Sequence, residues 1–167
     1  MTYLSPAKIN LFLHINSKRD DGYHNLQTIF QLLDFYDEIN FSEREDAEIN
    51  RTLGNEDIPL ANDLMIKSAK KLQKFSGVNL GVDIRIIKKI PSGGGLGGGS
   101  SNAATTLMAL NQLWGLELTK QQLIAIGKGI GADVPVFIEG QSTWADGIGE
   151  ILYPFNLPRY FYLVVFI

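Results

Sequence analysis

The chain has 167 residues, of which 45% are apolar and 20% charged, the size and composition of a single domain (1–167) able to bury its own core. Its formal net charge of -3 speaks against a general nucleic-acid or anionic-membrane binder, and the lack of cysteine excludes disulfides, thiolate metal sites and a cysteine nucleophile. With His14 and His24 as the only histidines, a multi-histidine zinc site is not expected either.

Met1 to Pro6 has no basic segment followed by an apolar core, so no secretory signal is expected there. From Ile9 to Ile15 the pattern alternates, with Ile9, Leu11, Leu13 and Ile15 on one face and Lys8, Asn10, Phe12 and His14 on the other, which predicts a strand. Asp20-Asp21-Gly22 reads as a turn. Asn25 to Leu33 reads as a second strand, with helix left open by its uniformity. Asp37 to Phe41 and Ala47 to Arg51 read as short strands joined by a charged turn, Ser42 to Asp46. The period then changes. Asn62 or Asp63 caps a predicted helix with an apolar stripe of Met65, Ala69, Leu72 and Phe75, ending before Gly77. Val82, Ile84 and Ile86 alternate as a strand that runs into Lys88-Lys89-Ile90-Pro91.

A second helix is expected from Ser101 to Trp114, stopped by Gly115, and a third from the Thr119–Gln122 capping box to Gly129 or Gly131. The tail returns to strands at Ser142 to Ala145, Glu150 to Tyr153 and Tyr160 to Ile167. The last of these is the longest apolar run, well short of the roughly 20 residues a membrane span needs. A soluble, cytoplasmic protein is therefore expected. Strands, then helices, then strands give an α+β fold. An apolar strand with no turn or polar tail after it is an aggregation hazard, so the natural protein is expected to continue past Ile167.

Six of the 17 glycines fall between Gly93 and Gly99. The segment Pro91-Ser92-Gly93-Gly94-Gly95-Leu96-Gly97-Gly98-Gly99-Ser100-Ser101 lies between a predicted strand and a predicted helix. Glycine lets backbone N–H groups approach an anion, and the helix start adds unpaired N–H groups and the positive end of its dipole. Ser100 and Ser101 add hydroxyls suited to phosphate oxygens or to a Mg²⁺ bound to them. The bland alternative is a floppy loop. A Walker loop is excluded because Ser100, not lysine, follows the last glycine. The pattern G-x-G-x-x-G is met only trivially.

Lys8 and Asn10 leave the same face of a strand about 7 Å apart. Burying Lys8 calls for an anionic partner, whereas a solvent-facing strand start would let it snorkel. Asp133, in Gly131-Ala132-Asp133-Val134-Pro135-Val136-Phe137, reads by itself as the polar residue of a plain turn.

Taken in order, Ser5-Pro6-Ala7-Lys8-Ile9-Asn10-Leu11-Phe12-Leu13, the glycine-serine loop with Asn102-Ala103-Ala104, and the Gly131 to Phe137 segment resemble the GHMP small-molecule kinases. Asp21-Gly22-Tyr23-His24-Asn25-Leu26-Gln27-Thr28 and Gly147-Ile148-Gly149-Glu150-Ile151-Leu152 are similar to the branch acting on a methylerythritol unit linked through diphosphate to cytidine. The resemblance implies a GHMP amino-terminal lobe (ribosomal protein S5 domain 2-like), a mixed sheet with helices mainly on one face. It implies ATP-dependent phosphorylation of a small-molecule hydroxyl, with Mg²⁺, and no nucleic-acid or membrane partner. The catalytic positions fall on Lys8 and Asp133, the ATP loop on Pro91 to Ser101, and substrate contacts on Asn10, Tyr23 and His24. Asp133 would take the hydroxyl proton and Lys8 would balance charge beside it. Tyr23 would offer a flat face to cytosine and His24 would read its edge, against the plainer readings of an exposed turn aromatic and a surface imidazole. Metal ligands are not assigned.

Two features depart from the family. Its second lobe, with another glycine-rich motif and a cytosine-clamping aromatic, is not in this sequence. Asn62-Asp63-Leu64 also stands where the family places an acidic residue and then Asn near the adenine. The alternatives are another GHMP kinase, acting on mevalonate, homoserine or a sugar, or a nucleotide-binding module without activity.

Overall fold

Two long alternating segments organise the sheet of this computed structural model, which describes residues 1–20, 22, 24–149, 151–158 and 160–165. Strand β1 (Thr2–Lys18) pairs antiparallel with β2 (His24–Arg44), from Thr2 opposite Asn40 to Lys18 opposite His24. The two strands expected at Asn25–Leu33 and Asp37–Phe41 are one, and the helical option is not taken. The residues between them, Asp34-Phe35-Tyr36, hold no glycine or proline, and their aromatics fit a pleated surface. The charged turn narrows to Glu45-Asp46.

Strand β3 (Ile49–Leu53) runs parallel to β4 (Gly81–Ile87). A parallel pair needs a crossover, which helix α1 (Leu64–Ser76) supplies. Asp63 caps α1 by accepting the Met65 N–H, and Met65, Ala69 and Leu72 are buried as expected, but Phe75 is exposed. Strand β4 pairs antiparallel with the end of β2, and β5 (Thr143–Asp146) pairs with its beginning. β6 (Ile151–Pro154) closes an antiparallel hairpin on β5. The sheet order is β3-β4-β2-β5-β6, with β1 along the other edge of β2. This is the expected mixed sheet.

Helix α2 (Gly98–Leu113) starts three residues before its predicted position, because the last glycines of the loop already take helical conformation. Helix α3 (Lys120–Lys128) carries the Thr119–Gln122 capping box. A short helix α4 (Val134–Glu139) follows Asp133, where only a turn was expected. Six residues with a proline in the first turn are too few for apolar periodicity to register. The helices and sheet share one core, built from Ile39 and Phe41 of β2, Val82, Ile84 and Ile86 of β4, and apolar faces that include Leu72, Leu107 and Leu110. The described part of the predicted terminal strand, Tyr160 to Val165, is not in a strand and is exposed. Apolar residues make a strand only where a ladder partner exists. Among the described residues, no helix is long and apolar enough to cross a membrane.

Burial along β1 inverts what hydropathy predicts. Leu13 and Ile15 are 53% and 64% exposed, while Lys8 is only 6% exposed. Register shifts between Pro6 and Lys8 and between Asn10 and Leu13 interrupt the simple alternation. Snorkelling is thereby excluded for Lys8.

Candidate active site

The buried Lys8 ammonium has three kinds of neighbour. Nζ lies 3.2 Å from Asp133 Oδ2 and donates to Asn10 Oδ1 at 2.6 Å. It also sits 5.3 Å from the centre of the Phe30 ring, where the negative face of an aromatic favours a cation. Asp133 is the N-cap residue of α4, yet its side chain makes no capping bond. Its carboxylate therefore faces Lys8, and its side chain is 32% exposed and open to a ligand.

The glycine loop meets this pair directly. The Lys8 N–H donates to Leu96 O at 2.9 Å, so the outer edge of β1 is covered here by the loop. Gly97 is the N-cap of α2 with φ 72°. A Cβ there would lie 2.8 Å from Phe137 Cζ and 3.1 Å from Lys8 Cε. The lysine stem, the loop and α4 thus converge on one backbone atom. The Ser101 N–H bonds to Gly97 O as the first intrahelical bond of α2, so the N–H groups of Gly98, Gly99 and Ser100 have no acceptor within the helix. They form a ready anion site beside an ammonium.

The loop is anchored from beneath by Asp37. This fully buried carboxylate accepts from Lys88 Nζ at 2.5 Å, from the N–H groups of Lys89 and Ile90 at 2.7 and 2.9 Å, and from Asn102 Nδ2 at 2.9 Å. Two of those donors are the last backbone N–H groups before Pro91, so Asp37 sets where the loop leaves the sheet. Asn102 also donates to Ser5 Oγ at 2.9 Å, and the Ser5 and Ser101 hydroxyls bond at 2.8 Å. Ser101 is consequently turned inward and locks the helix start to β1. Ser100 lies on the other side, its Oγ 3.5 Å from where a Cβ on Gly131 would stand.

The structure brings together Lys8, Asn10, Asp133 and the Leu96 to Ser100 part of the loop. Pro91 to Gly95 form the exposed outer part of the loop, with Pro91 half-buried. His24 is exposed at the hairpin end of β2, opposite Lys18 and eight positions from Leu32, the partner of Lys8. Along an extended strand that is roughly 26 Å. Tyr23 lies outside the described residues. Sequence reading missed Asp37, Thr28 and Phe30 as parts of the site. The signal was present, since Asp37 shares a strand face with the core residues Ile39 and Phe41, and Thr28 shares one with Phe30.

Asp63 is also fully engaged. Its Oδ2 takes Arg51 at 2.7 Å and Asn55 at 3.2 Å, and its Oδ1 takes the Met65 N–H at 2.8 Å. This residue thus works as the hinge pin between β3 and α1.

Residues 63–141, from the cap of α1 to just past α4, match the model of the GHMP kinases N terminal domain. The chain is 63% identical over 166 residues to a 4-diphosphocytidyl-2-C-methyl-D-erythritol kinase of Ruthia magnifica subsp. Calyptogena magnifica, covering 99% of this chain and 58% of that protein. It is 53% identical over 161 residues to the enzyme of the same name from Ralstonia pickettii, covering 96% of this chain and 56% of that protein. The chain therefore spans a little over half the length of the curated relatives it matches. Among solved structures, a 4-(cytidine 5'-diphospho)-2C-methyl-D-erythritol kinase superposes with a TM-score of 0.83 at 37% identity, over 95% of this chain and 56% of that one. The Methanococcus jannaschii mevalonate kinase shares the fold, with a TM-score of 0.70 at 17% identity, over 93% of this chain and 56% of that one. Family model and superposition together show that this chain has the fold of the GHMP kinase amino-terminal domain.

Proposed function

We propose that this chain forms the nucleotide-binding and catalytic part of a cytoplasmic kinase that transfers the γ-phosphoryl group of ATP to the 2-hydroxyl of 4-diphosphocytidyl-2-C-methyl-D-erythritol, in the non-mevalonate isoprenoid pathway. The observation that carries this reading is the Lys8–Asp133 pair at 3.2 Å, seated against the glycine loop at Gly97. Relatives more than half identical bear the name of that kinase, which supports the choice of acceptor.

Phosphoryl transfer asks a protein for positioning and charge balance more than for covalent chemistry. Asp133 accepts the proton of the acceptor hydroxyl as its oxygen attacks the γ-phosphorus and ADP leaves. Lys8 stands beside both the carboxylate and the loop, so it offsets negative charge developing between them. The loop N–H groups at the start of α2 hold the phosphates. Mg²⁺ bound with the nucleotide would neutralise charge on the β- and γ-phosphates, with the Ser100 hydroxyl as the donor at the helix start that is turned away from Ser5. His24, at the far end of the β1–β2 hairpin, serves the cytidine end of an extended acceptor, and Tyr23, the residue before it in sequence, is assigned the same role from the family resemblance.

The test is ADP release by the natural full-length protein in the presence of Mg-ATP and each of three acceptors: the cytidine-diphospho compound, mevalonate and homoserine. Turnover is expected with the first alone, and Asp133→Asn should lower it by roughly 10²- to 10⁴-fold. Thermal stabilisation by Mg-ATP or CDP without any turnover would replace this reading with a nucleotide-binding module. Turnover on mevalonate or homoserine would assign the protein to another branch.

A further inference from the structure

The Lys8–Asn10 bond continues inward. Asn10 Nδ2 lies 2.9 Å from Thr28 Oγ1, and Thr28 Oγ1 lies 2.5 Å from the carbonyl oxygen of Phe12. Thr28 is fully buried on β2, between Leu13 of β1 and Ala145 of β5. We propose that Thr28 is a positioning residue that fixes which way the Asn10 amide faces, and through it where the Lys8 ammonium sits. The proposal rests on the kinase reading above for its effect on rate, but its structural core does not.

Donor and acceptor inventory gives every link one direction. A lysine ammonium only donates, so Asn10 must turn Oδ1 toward Lys8. Nδ2 then faces Thr28 and must donate to it. The Thr28 hydroxyl, accepting from Asn10, gives its own hydrogen to the Phe12 carbonyl. The opposite amide orientation would set NH₂ against ammonium and leave the Phe12 carbonyl without this donor. Only a hydroxyl can accept and donate at one atom in this way. The register shift between Asn10 and Leu13 gains a purpose here, because the extra residue in β1 brings the Phe12 carbonyl to a side chain on the neighbouring strand. Asn10 reaches both partners at 2.6 and 2.9 Å, so its amide has no slack to turn without breaking one of them.

Thr28→Val keeps the side-chain shape and removes the hydroxyl. In the full-length protein it should lower kcat roughly tenfold while leaving the KM for ATP within about twofold, and Thr28→Ser should restore most of the rate. The double variant Asn10→Ala, Thr28→Val should be no slower than Asn10→Ala alone, because Thr28 acts through Asn10. Unchanged kcat in Thr28→Val, failure of serine to rescue, or multiplicative losses in the double variant would each overturn the proposal. A measurement independent of turnover covers an inactive enzyme or a valine variant that does not fold. The Asn10 side-chain amide proton held by Thr28 should exchange with solvent at least about tenfold more slowly than a free asparagine amide, as expected for a closed hydrogen bond. Exchange at the free rate refutes the relay. Absence of turnover in the wild-type protein, with that proton protected, refutes the kinase reading alone.

Discussion

Gly95 and Gly97 allow a matched experiment on the loop. Both have φ 72°, so an alanine at either position suffers the same backbone penalty of about 1–2 kcal/mol for a side chain in the left-handed region. Their surroundings differ. A Cβ on Gly95 meets nothing within 4 Å, whereas one on Gly97 would stand 2.8 and 3.0 Å from the Phe137 ring and 3.1 Å from Lys8 Cε. Overpacking of that kind costs about 1–3 kcal/mol, because both neighbours are buried and can yield only by moving α4 or the lysine stem. Gly95→Ala should therefore lose about 1–2 kcal/mol in urea unfolding, and Gly97→Ala roughly 2–5 kcal/mol. Under the proposed function, displacing Lys8 should also make Gly97→Ala far slower in phosphoryl transfer, even under conditions where it is fully folded. Equal destabilisation by the two alanines would refute the claim that loop, lysine and α4 share one crowded point.

Asp37→Ala should destabilise the fold by about 3–5 kcal/mol in urea unfolding, because it strands two backbone N–H groups, an amide and a lysine that all converge on one buried carboxylate; a loss below about 1 kcal/mol would show the anchor to be dispensable. Thr119→Ala removes the exposed capping box of α3 and should cost about 1 kcal/mol, with an unchanged midpoint counting against the cap. Hydrogen bonds from the Arg44 guanidinium hold the Asp46 carboxyl down to about 2 from its ordinary 3.8. A depressed carboxyl stabilises the fold above its unfolded value, so this contribution is present above about pH 4 and is lost as pH falls through about 2. An NMR titration of Asp46 with a midpoint near 3.8 would mean the pair does not persist in solution.

How much of the molecule could be read in advance depends on the range of the physics involved. Capping boxes, helix stripes and glycine stops act within a few residues, so α1, α3 and most of α2 were legible from Asp63, Thr119 and the Leu107–Leu110–Trp114 face. Helix α4 was not, because it is held by packing against its neighbours rather than by its own pattern. The long β2 was split in two because alternation is blurred where both edges and parts of both faces are covered. Most misleading was β1, where Leu13 and Ile15 face outward and Lys8 inward.

By themselves, the residues determined the α+β class and the glycine loop between a strand and a helix, while the roles of Lys8 and Asp133 were suggested only by the resemblance to a known family. Nothing local in Lys8, 125 residues from Asp133, states that they touch. That meeting was decided by β1 lying along the edge of β2 and by α4 packing against α2, which bring a strand bulge and a helix start to the same side of Gly97. A charge can be buried only where its partner is delivered, and delivery is a property of the whole fold.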